Sequence, residues 1–399
     1  MESHYKIAII GGGISGISFA HFAAWKNHSS IVIEARDKIG GCIETYYSTK
    51  AHDFWLELGT HTVYNSYQHL IDYCNQKGLL EQLQKRNKYP FKLLINNNIC
   101  SIIPQLNLMR AGLGWPLFKF TTAKDKSVKE YFSFVFGKQN YNTILRYCFD
   151  AVLCQNSRDF PADFLFKTRK KNKNLPRSFT FKNGMSSLFN NCENEVFTIR
   201  TNTTCNGIYY QNNTWHIKTN HSELTADKLI LATPWDITQK LLKDINHPLA
   251  DLPHQPTLSN LITVALIVDQ DKVKHIKPLN GLIGVNQSFY SIVSRDVIDH
   301  EKYRGFTIHF KPENHDIISL ITKFLAKLNI PNDALIDTYI KTNSLPCYQT
   351  HHSRFLTSLN KRLVQDNSLY LTGNYLTRLA VEDCVKRSYE EFLRLVSTS

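Results

Sequence analysis

Residues 6–10 form a short apolar run without alternation, the pattern of a strand covered on both faces. Gly11, Gly12 and Gly13 follow and predict a sharp turn. A helix is expected over residues 15–26, where Ile17, Ala20, Phe22 and Ala24 are available for packing. Ile31, Val32 and Ile33 make a second apolar strand that ends at Glu34, so the chain opens as a βαβ unit.

The texture then changes. Residues 67–78 read as a helix closed by Gly78. Residues 92–95 and 99–103 read as a hairpin around Asn96-Asn97-Asn98, and residues 127–136 and 141–152 read as helical. Residues 196–200 and 215–219 are expected strands, with Asn212-Asn213 as a turn, and residues 228–232 a buried strand ending at Thr233-Pro234. Residues 261–268, 290–293 and 307–310 suggest a second sheet. Residues 369–371 make a last buried strand reaching Gly373, and a final helix spans 382–395. No internal repeat and no low-complexity tail interrupts this order.

The 399 residues exceed one small core, so two interleaved domains are expected. Hydrophobic residues make up 42% of the chain, which marks it as globular. The nine cysteines include no CxxC pair and no zinc spacing, so free thiols are expected and no metal. No secretory leader and no bilayer-spanning run is evident, which favours the cytoplasm with peripheral attachment to a membrane left open. The net charge of +13 matters for partners. Lys167, Arg169, Lys170, Lys171, Lys173 and Arg177 crowd one stretch without an acidic residue. Such a run is a solvated loop, or a surface for an anionic membrane or a polyanionic small substrate. No nucleic-acid-binding signature accompanies it, so nucleic acid is not expected as a partner. The apolar Leu113, Trp115, Leu117 and Phe118 lie in the same region of the chain.

Gly11-Gly12-Gly13-Ile14-Ser15-Gly16 contains G-x-G-x-x-G. Gly11 allows the tight turn, Gly13 lets backbone approach a pyrophosphate, and Gly16 lets the helix pack against the sheet. The helix N-terminus offers unpaired N–H groups and a positive dipole end through Ile14 and Ser15. Glu34 closes the next strand, where a carboxylate accepts both hydroxyls of an adenosine ribose. Strand, loop, helix and acid in this order predict a dinucleotide site.

Further motifs carry a resemblance. Glu34-Ala35-Arg36 leads to Gly40-Gly41-Cys42, then Leu58-Gly59-Thr60-His61. Thr372-Gly373-Asn374-Tyr375 and Ala380-Val381-Glu382-Asp383 stand at the far end. With Gly184-Met185, Ala232-Thr233-Pro234 and Pro346-Cys347-Tyr348 between them, the chain resembles the protoporphyrinogen oxidase-like branch of the flavin amine oxidase superfamily. The resemblance implies FAD as cofactor, held by these motifs together with Cys205. It implies an FAD-binding Rossmann-like domain of the glutathione-reductase type (α/β) with an interleaved α+β substrate domain. The FAD-binding domain would comprise residues 1–85, 190–250 and 355–399. Residues 86–189 would form a helical, membrane-facing insertion, and residues 251–354 a mixed substrate sheet. The implied activity is oxidation of a porphyrinogen-type substrate in porphyrin biosynthesis, by hydride transfer to flavin N5 with molecular oxygen as acceptor. Lys92 and Tyr375 are the expected substrate contacts, and no catalytic side chain is needed beyond the flavin. Cys42 stands where many superfamily members carry Arg, and no second ring of an amine-oxidase cage is evident beside Tyr375. An amine oxidase or desaturase of a specialised metabolite is the alternative, and a non-catalytic flavoprotein scaffold the third reading.

Overall fold

A computed structural model describes residues 3–192, 196–313 and 316–397, without the side chains of Ser3, Trp115 and Lys119. The chain opens with β1 (Ser3–Ile10), α1 (Ile14–Ala24), β2 (Ser30–Ile33), β3 (Thr45–Tyr47), β4 (Trp55–Glu57), β5 (Val63–Tyr64), α2 (Gln68–Gln76) and β6 (Leu83–Lys85). A hairpin, β7 (Phe91–Ile95) and β8 (Asn98–Cys100), precedes helices α3 (Leu108–Phe120), α4 (Val128–Phe136), α5 (Lys138–Asn140), α6 (Arg146–Leu153) and α7 (Ala162–Leu165). Next come β9 (Ser178–Phe181), β10 (Thr198–Arg200), β11 (Cys205–Gln211), β12 (Thr214–Thr219), β13 (Glu223–Leu231) and α8 (Trp235–Asp244). The remainder is β14 (Thr257–Asp269), β15 (Gly281–Val285), β16 (Phe289–Ser294), β17 (Tyr303–Phe310), α9 (Ile317–Lys327), β18 (Leu335–Cys347), α10 (His352–Leu363), β19 (Leu369–Leu371) and α11 (Val381–Ser397).

The first sheet runs β10-β2-β1-β13-β12-β11, with β19 also paired to β13. Its centre is parallel: β1 lies between β2 and β13, and β19 joins β13 in parallel register. Parallel strands need cover on both faces, and they have it. Ile7, Ile9 and Val32 pack with α1, α2 and α11, while Ala8, Ile10 and Leu231 pack with α8 and α10. This is the Rossmann-like α/β unit expected from the opening motif.

The second sheet runs β18-β14-β17-β16-β15-β7-β8, antiparallel except for β15 against β7. Val264, Leu266, Phe306 and Ile308 pack on one face beneath α9, and Ala265 and Ile267 meet Phe54, Leu56 and Leu58 on the other. The hairpin from within the helical stretch thus extends this sheet. Helices α4 and α6 bury their own cluster around Val128, Phe132, Phe149 and Phe160. A reciprocal Ser127–Glu130 capping box starts α4.

The sequence pattern differs from the fold in several places. It misses β11, β15, β18 and helices α3, α8, α9 and α10, and it draws β8 too long, since residues 103–105 form a 3-10 turn. β18 is an edge strand of 13 residues, half-exposed along much of its length and carrying Pro346, so it lacks an apolar run.

Candidate functional site

The glycine loop is shaped by close approach. Gly11 has φ +109°, and a Cβ there would lie 2.7 Å from the Ala232 carbonyl oxygen. A Cβ on Gly16 would lie 2.0 Å from the Gly11 carbonyl oxygen, so only glycine lets α1 sit this near the loop. Gly13 caps α1 without a side-chain bond, and the amides of Ile14, Ser15 and Gly16 precede the first intrahelical bond, Ile17 N–H to Gly13. Gly40 bridges to Gly13, its N–H donating to the Gly12 carbonyl at 2.9 Å. Gly41 passes so close that a Cβ on it would be 3.2 Å from the Gly13 Cα. These free amides and side-chain-free backbone form an open cradle of the kind that can take an anionic group.

Glu34 is buried at the edge of the cradle. Its Oε2 accepts from Gly12 N–H at 2.8 Å and its Oε1 from Arg36 N–H at 3.0 Å. Arg36 donates to the Gly41 carbonyl at 2.9 Å, tying the two glycine turns together, and Ala35 between them is exposed. Thr203 N–H donates to the Glu34 carbonyl, whereas Cys205 lies further along at the start of β11, its thiol 3.6 Å from the Gly207 carbonyl.

Elements from the far end of the chain close on the same place. Ala232 N–H bonds to Ile10, and Thr233 pairs with the Thr238 hydroxyl at 2.8 Å. Gly373 has φ +152°, and the Asn374 carbonyl accepts from the Tyr348 hydroxyl. Ala380 precedes α11, which starts at Val381 and packs along α1, with Ser388 Oγ donating to the Ser15 carbonyl at 2.8 Å. Phe19 meets Phe392 further along, so the two helices run parallel, with the α11 N-terminus about two turns beyond that of α1.

The two expected substrate contacts, Tyr375 and Lys92, are placed elsewhere, while Glu382 keeps its backbone at the α11 N-terminus and uses its side chain otherwise. The Glu382 carboxylate turns to α2, accepting from the His69 and Leu70 amides at 3.2 and 3.0 Å, because that helix has no side-chain cap of its own. Tyr375 is fully buried beneath the first sheet, its ring 5.3 Å from that of Trp235, so it does not line a cleft. Lys92 is carried to the α9 face of the second sheet. Across that sheet, Leu93, Ile283, Ser291, His309, Thr263 and Lys341 form one row of paired residues. Side chains alternate along a strand, so Lys92 points the other way, with Leu94.

That row faces the segment around Leu58, Gly59, Thr60 and His61. A Cβ on Gly59 would lie 2.3 Å from the Cys42 carbonyl oxygen, so the two motifs are in backbone contact; the Cys42 side chain itself is exposed. Thr307 donates to the Glu57 carbonyl at 2.8 Å, and Asn343 Nδ2 lies 3.4 Å from that of Leu58. Burial pushes the Glu57 carboxyl up to about 8, against the pull of the Met185 amide and the Thr45 hydroxyl. Burial, helped by nearby Arg86, pushes the His61 imidazole down to about 3. Thr263, His309, Asn343 and Arg86 escape sequence reading as site residues. The available signal is a polar residue inside an otherwise apolar strand, as with Thr263 and His309.

The cationic stretch is divided. Arg169 and Lys167 reach Asp383 in the first turn of α11, at 2.6 and 3.5 Å, while Lys170, Lys171, Lys173 and Arg177 remain exposed. On α3, Met109 is 81% and Phe120 86% exposed, and Leu113 and Phe118 are exposed with them; the Trp115 side chain lies outside the described residues. No helix among the described residues is long and apolar enough to cross a membrane.

Comparison with known proteins agrees with this geometry. Residues 9–76 match the NAD(P)-binding Rossmann-like domain family. A 98-residue stretch is 29% identical to the flavin-dependent L-tryptophan oxidase of Lentzea aerocolonigenes, covering 24% of this chain and 20% of that protein. The chain thus spans only about a fifth of that relative's length. Similarity in structure runs end to end. A candidate protoporphyrinogen oxidase from Exiguobacterium sp. 255-15 superposes with a TM-score of 0.78 at 18% identity, over 100% of both chains. Cyclohexylamine oxidase from Brevibacterium oxydans IH-35A superposes with 0.75 at 13% identity, over 99% of both. The chain accordingly has the fold found in the flavin amine oxidase superfamily, where its motifs resemble the protoporphyrinogen oxidase-like branch.

Proposed function

We propose that the protein is an FAD-dependent oxidase acting on a porphyrinogen-type substrate, with molecular oxygen as the acceptor. The observation that carries this reading is the parallel packing of α1 and α11 from opposite ends of the chain, with the α1 N-terminus at the Gly13–Gly41 cradle and that of α11 about two turns beyond it. An elongated dinucleotide with a pyrophosphate and a flat ring that gains negative charge fits that pair. The α1 amides would bind the pyrophosphate, Glu34 the ribose hydroxyls, and the α11 N-terminus the pyrimidine side of the ring. When bound, FAD supplies a ring that takes a hydride from the substrate and passes the electrons to oxygen. Gly59 and its neighbours leave room at the ring, and the second sheet closes over it and excludes water.

The porphyrinogen assignment rests on the motif resemblance and the end-to-end similarity in structure. An amine substrate has equal support from the comparisons. The burial of Tyr375 in the core weighs against it, since that ring is not available for an aromatic cage. A peripheral membrane site is part of the same proposal, supported by the exposed apolar residues of α3 and the exposed lysines nearby in sequence.

Anaerobic mixing tests the substrate. The purified protein should be yellow, and its visible band should bleach with protoporphyrinogen or coproporphyrinogen. Bleaching with an amine alone transfers the assignment to an amine oxidase, and a stable flavin that no substrate reduces supports a scaffold.

A further inference from the structure

Thr307 stands two residues before His309 on β17, so both side chains lie on the face of the second sheet that meets β4. Beside Thr307 this face borders a cavity of about 30 Å³, lined from the opposite side by Glu57 and His61. Two guanidiniums and a hydroxyl complete the lining: Arg86, which follows β6, Arg295, which follows β16, and Thr180 of β9.

Both arginines are held by neutral groups. Arg86 donates to the Thr62 hydroxyl, and to Asn280 Oδ1 at 3.1 Å. Arg295 donates to the Ile298 carbonyl at 2.7 Å, with its guanidinium 4.3 and 5.1 Å from the rings of Trp55 and Phe54. Three polar atoms are left over. Arg86 Nε, Arg295 Nε and the Thr180 hydroxyl oxygen are buried and make no hydrogen bond among the described residues. Arg86 is only 6% and Thr180 2% exposed. Buried donors are as a rule paired, so three of them around one cavity mark a place for a ligand.

The surrounding charges say what kind of ligand. The acids that act on the two cations are Glu57, Asp296 and Asp299. Glu57 spends one oxygen on the Met185 amide and the other on the Thr45 hydroxyl, and burial pushes its carboxyl up to about 8, which leaves it mostly uncharged at neutral pH. Asp296 is taken by Arg304 through bonds of 2.9 and 2.6 Å, and Asp299 is exposed and accepts from Asn87. His61 is uncharged, because burial holds its imidazole down at about 3. Arg304, as buried as Arg86, thus has its own carboxylate, whereas Arg86 and Arg295 form no ion pair among the described residues. A buried cation without a counter-charge is strongly unfavourable, and one anion between the two would relieve both.

Size narrows the choice. The cavity admits roughly two water-sized groups, enough for a halide or a single carboxylate group. Arg295 and Ile298 also line an outer groove of about 360 Å³, so the cavity lies one side chain in from solvent.

We propose that this cavity is an anion site, in which Arg86 Nε–H, Arg295 Nε–H and the Thr180 hydroxyl bind one small monoanion, a halide or a carboxylate group. The site stands independently of the cofactor and substrate readings above.

Titration of the purified full chain with sodium chloride and with sodium formate tests it, in sodium HEPES at constant ionic strength. The HEPES sulfonate is too large for the cavity and controls for general salt effects. Both small anions should raise the melting temperature saturably, since a ligand that binds only the folded state stabilises it. Arg86→Gln and Arg295→Gln should each weaken binding about tenfold or more, and Thr180→Val about fivefold. Thr180→Val keeps the test open if an arginine variant fails to fold. An anion that survives dialysis is read by ion chromatography of the denatured protein, and should be present in the wild type and missing from the arginine variants. Hexanoate binding more tightly than formate through Arg86 would assign the site to the head group of a longer acid reaching past Arg295, and formate binding as well as hexanoate would assign it to a free ion. HEPES stabilising as much as formate, a wild type with neither a retained nor a titratable anion, or an affinity unchanged by all three substitutions would overturn the proposal.

Discussion

Arg169 donates to Asp383 across 2.6 Å, binding the cationic loop to the first turn of α11. Asp383 is buried, and alone it would oppose the positive potential of the helix N-terminus; Arg169 and Lys167 offset it. Part of the charge that reads from sequence as a membrane surface is thus internal. Removing one partner of a buried pair costs about 3 kcal/mol. Arg169→Ala should destabilise by that order in urea titration, and Arg169→Ala with Asp383→Asn should recover part of the loss. Additive losses in the double variant would mean that the pair is not coupled.

Glu34→Ala should weaken FAD binding by ~1.5–3 kcal/mol through lost charge-assisted hydrogen bonds. The Gly12 and Arg36 amides lose their acceptor in the same variant, so the glycine loop should loosen with it. Residual visible absorbance after dialysis reads the effect, and full retention of FAD would remove Glu34 from the cofactor site.

Two glycines should respond oppositely to alanine. Gly16→Ala places a Cβ 2.0 Å from a backbone oxygen and should cost about 1–3 kcal/mol, with loss of FAD. Gly112 lies within α3 with nothing near its missing Cβ, so Gly112→Ala should stabilise by about 0.5–1 kcal/mol. Melting temperatures of the two variants check the sign.

Stability should fall on the acid side. Burial lowers the imidazoles of His61, His309 and His352 from 6.5 to about 3, 4 and 4. The unfolded chain binds protons that these rings refuse, so their contribution is fully present above 6.5 and is lost as the pH falls through those lower values. His352→Phe should flatten this slope. It gives up the bond to the Tyr375 carbonyl, worth about 1 kcal/mol at neutral pH, and keeps an aromatic ring against Tyr348. Denaturation midpoints between neutral and acid pH measure it, and an unchanged slope would exclude His352 as a contributor.

Vesicle sedimentation should show binding to anionic lipid that weakens with salt, each exposed Lys or Arg at the surface contributing about 1 kcal/mol. Leu113→Glu with Phe120→Glu should reduce it further, since both side chains are exposed on α3. Equal recovery in the supernatant with and without anionic vesicles would remove the membrane reading.

The sequence by itself determined the parts whose physics is local. Turn glycines, an apolar run and the acid at its end are enough to place β1, the loop, α1 and Glu34, and the same reasoning places β19 and the start of α11. Tertiary structure alone decided which way side chains point across the cleft. Lys92 and Leu93 are neighbours in sequence, yet pairing with Ile283 puts Leu93 in the row of His309 and turns Lys92 to the opposite face. Glu382 sits in the expected motif but caps α2, and Tyr375 fills a core behind the first sheet. Thr263, His309 and Asn343 meet only because β14 pairs with β17 on one side and β18 on the other. Hydrophobic periodicity reports how one segment is covered, whereas a binding site depends on the register between segments far apart in the chain, and a shift of one residue reverses the face.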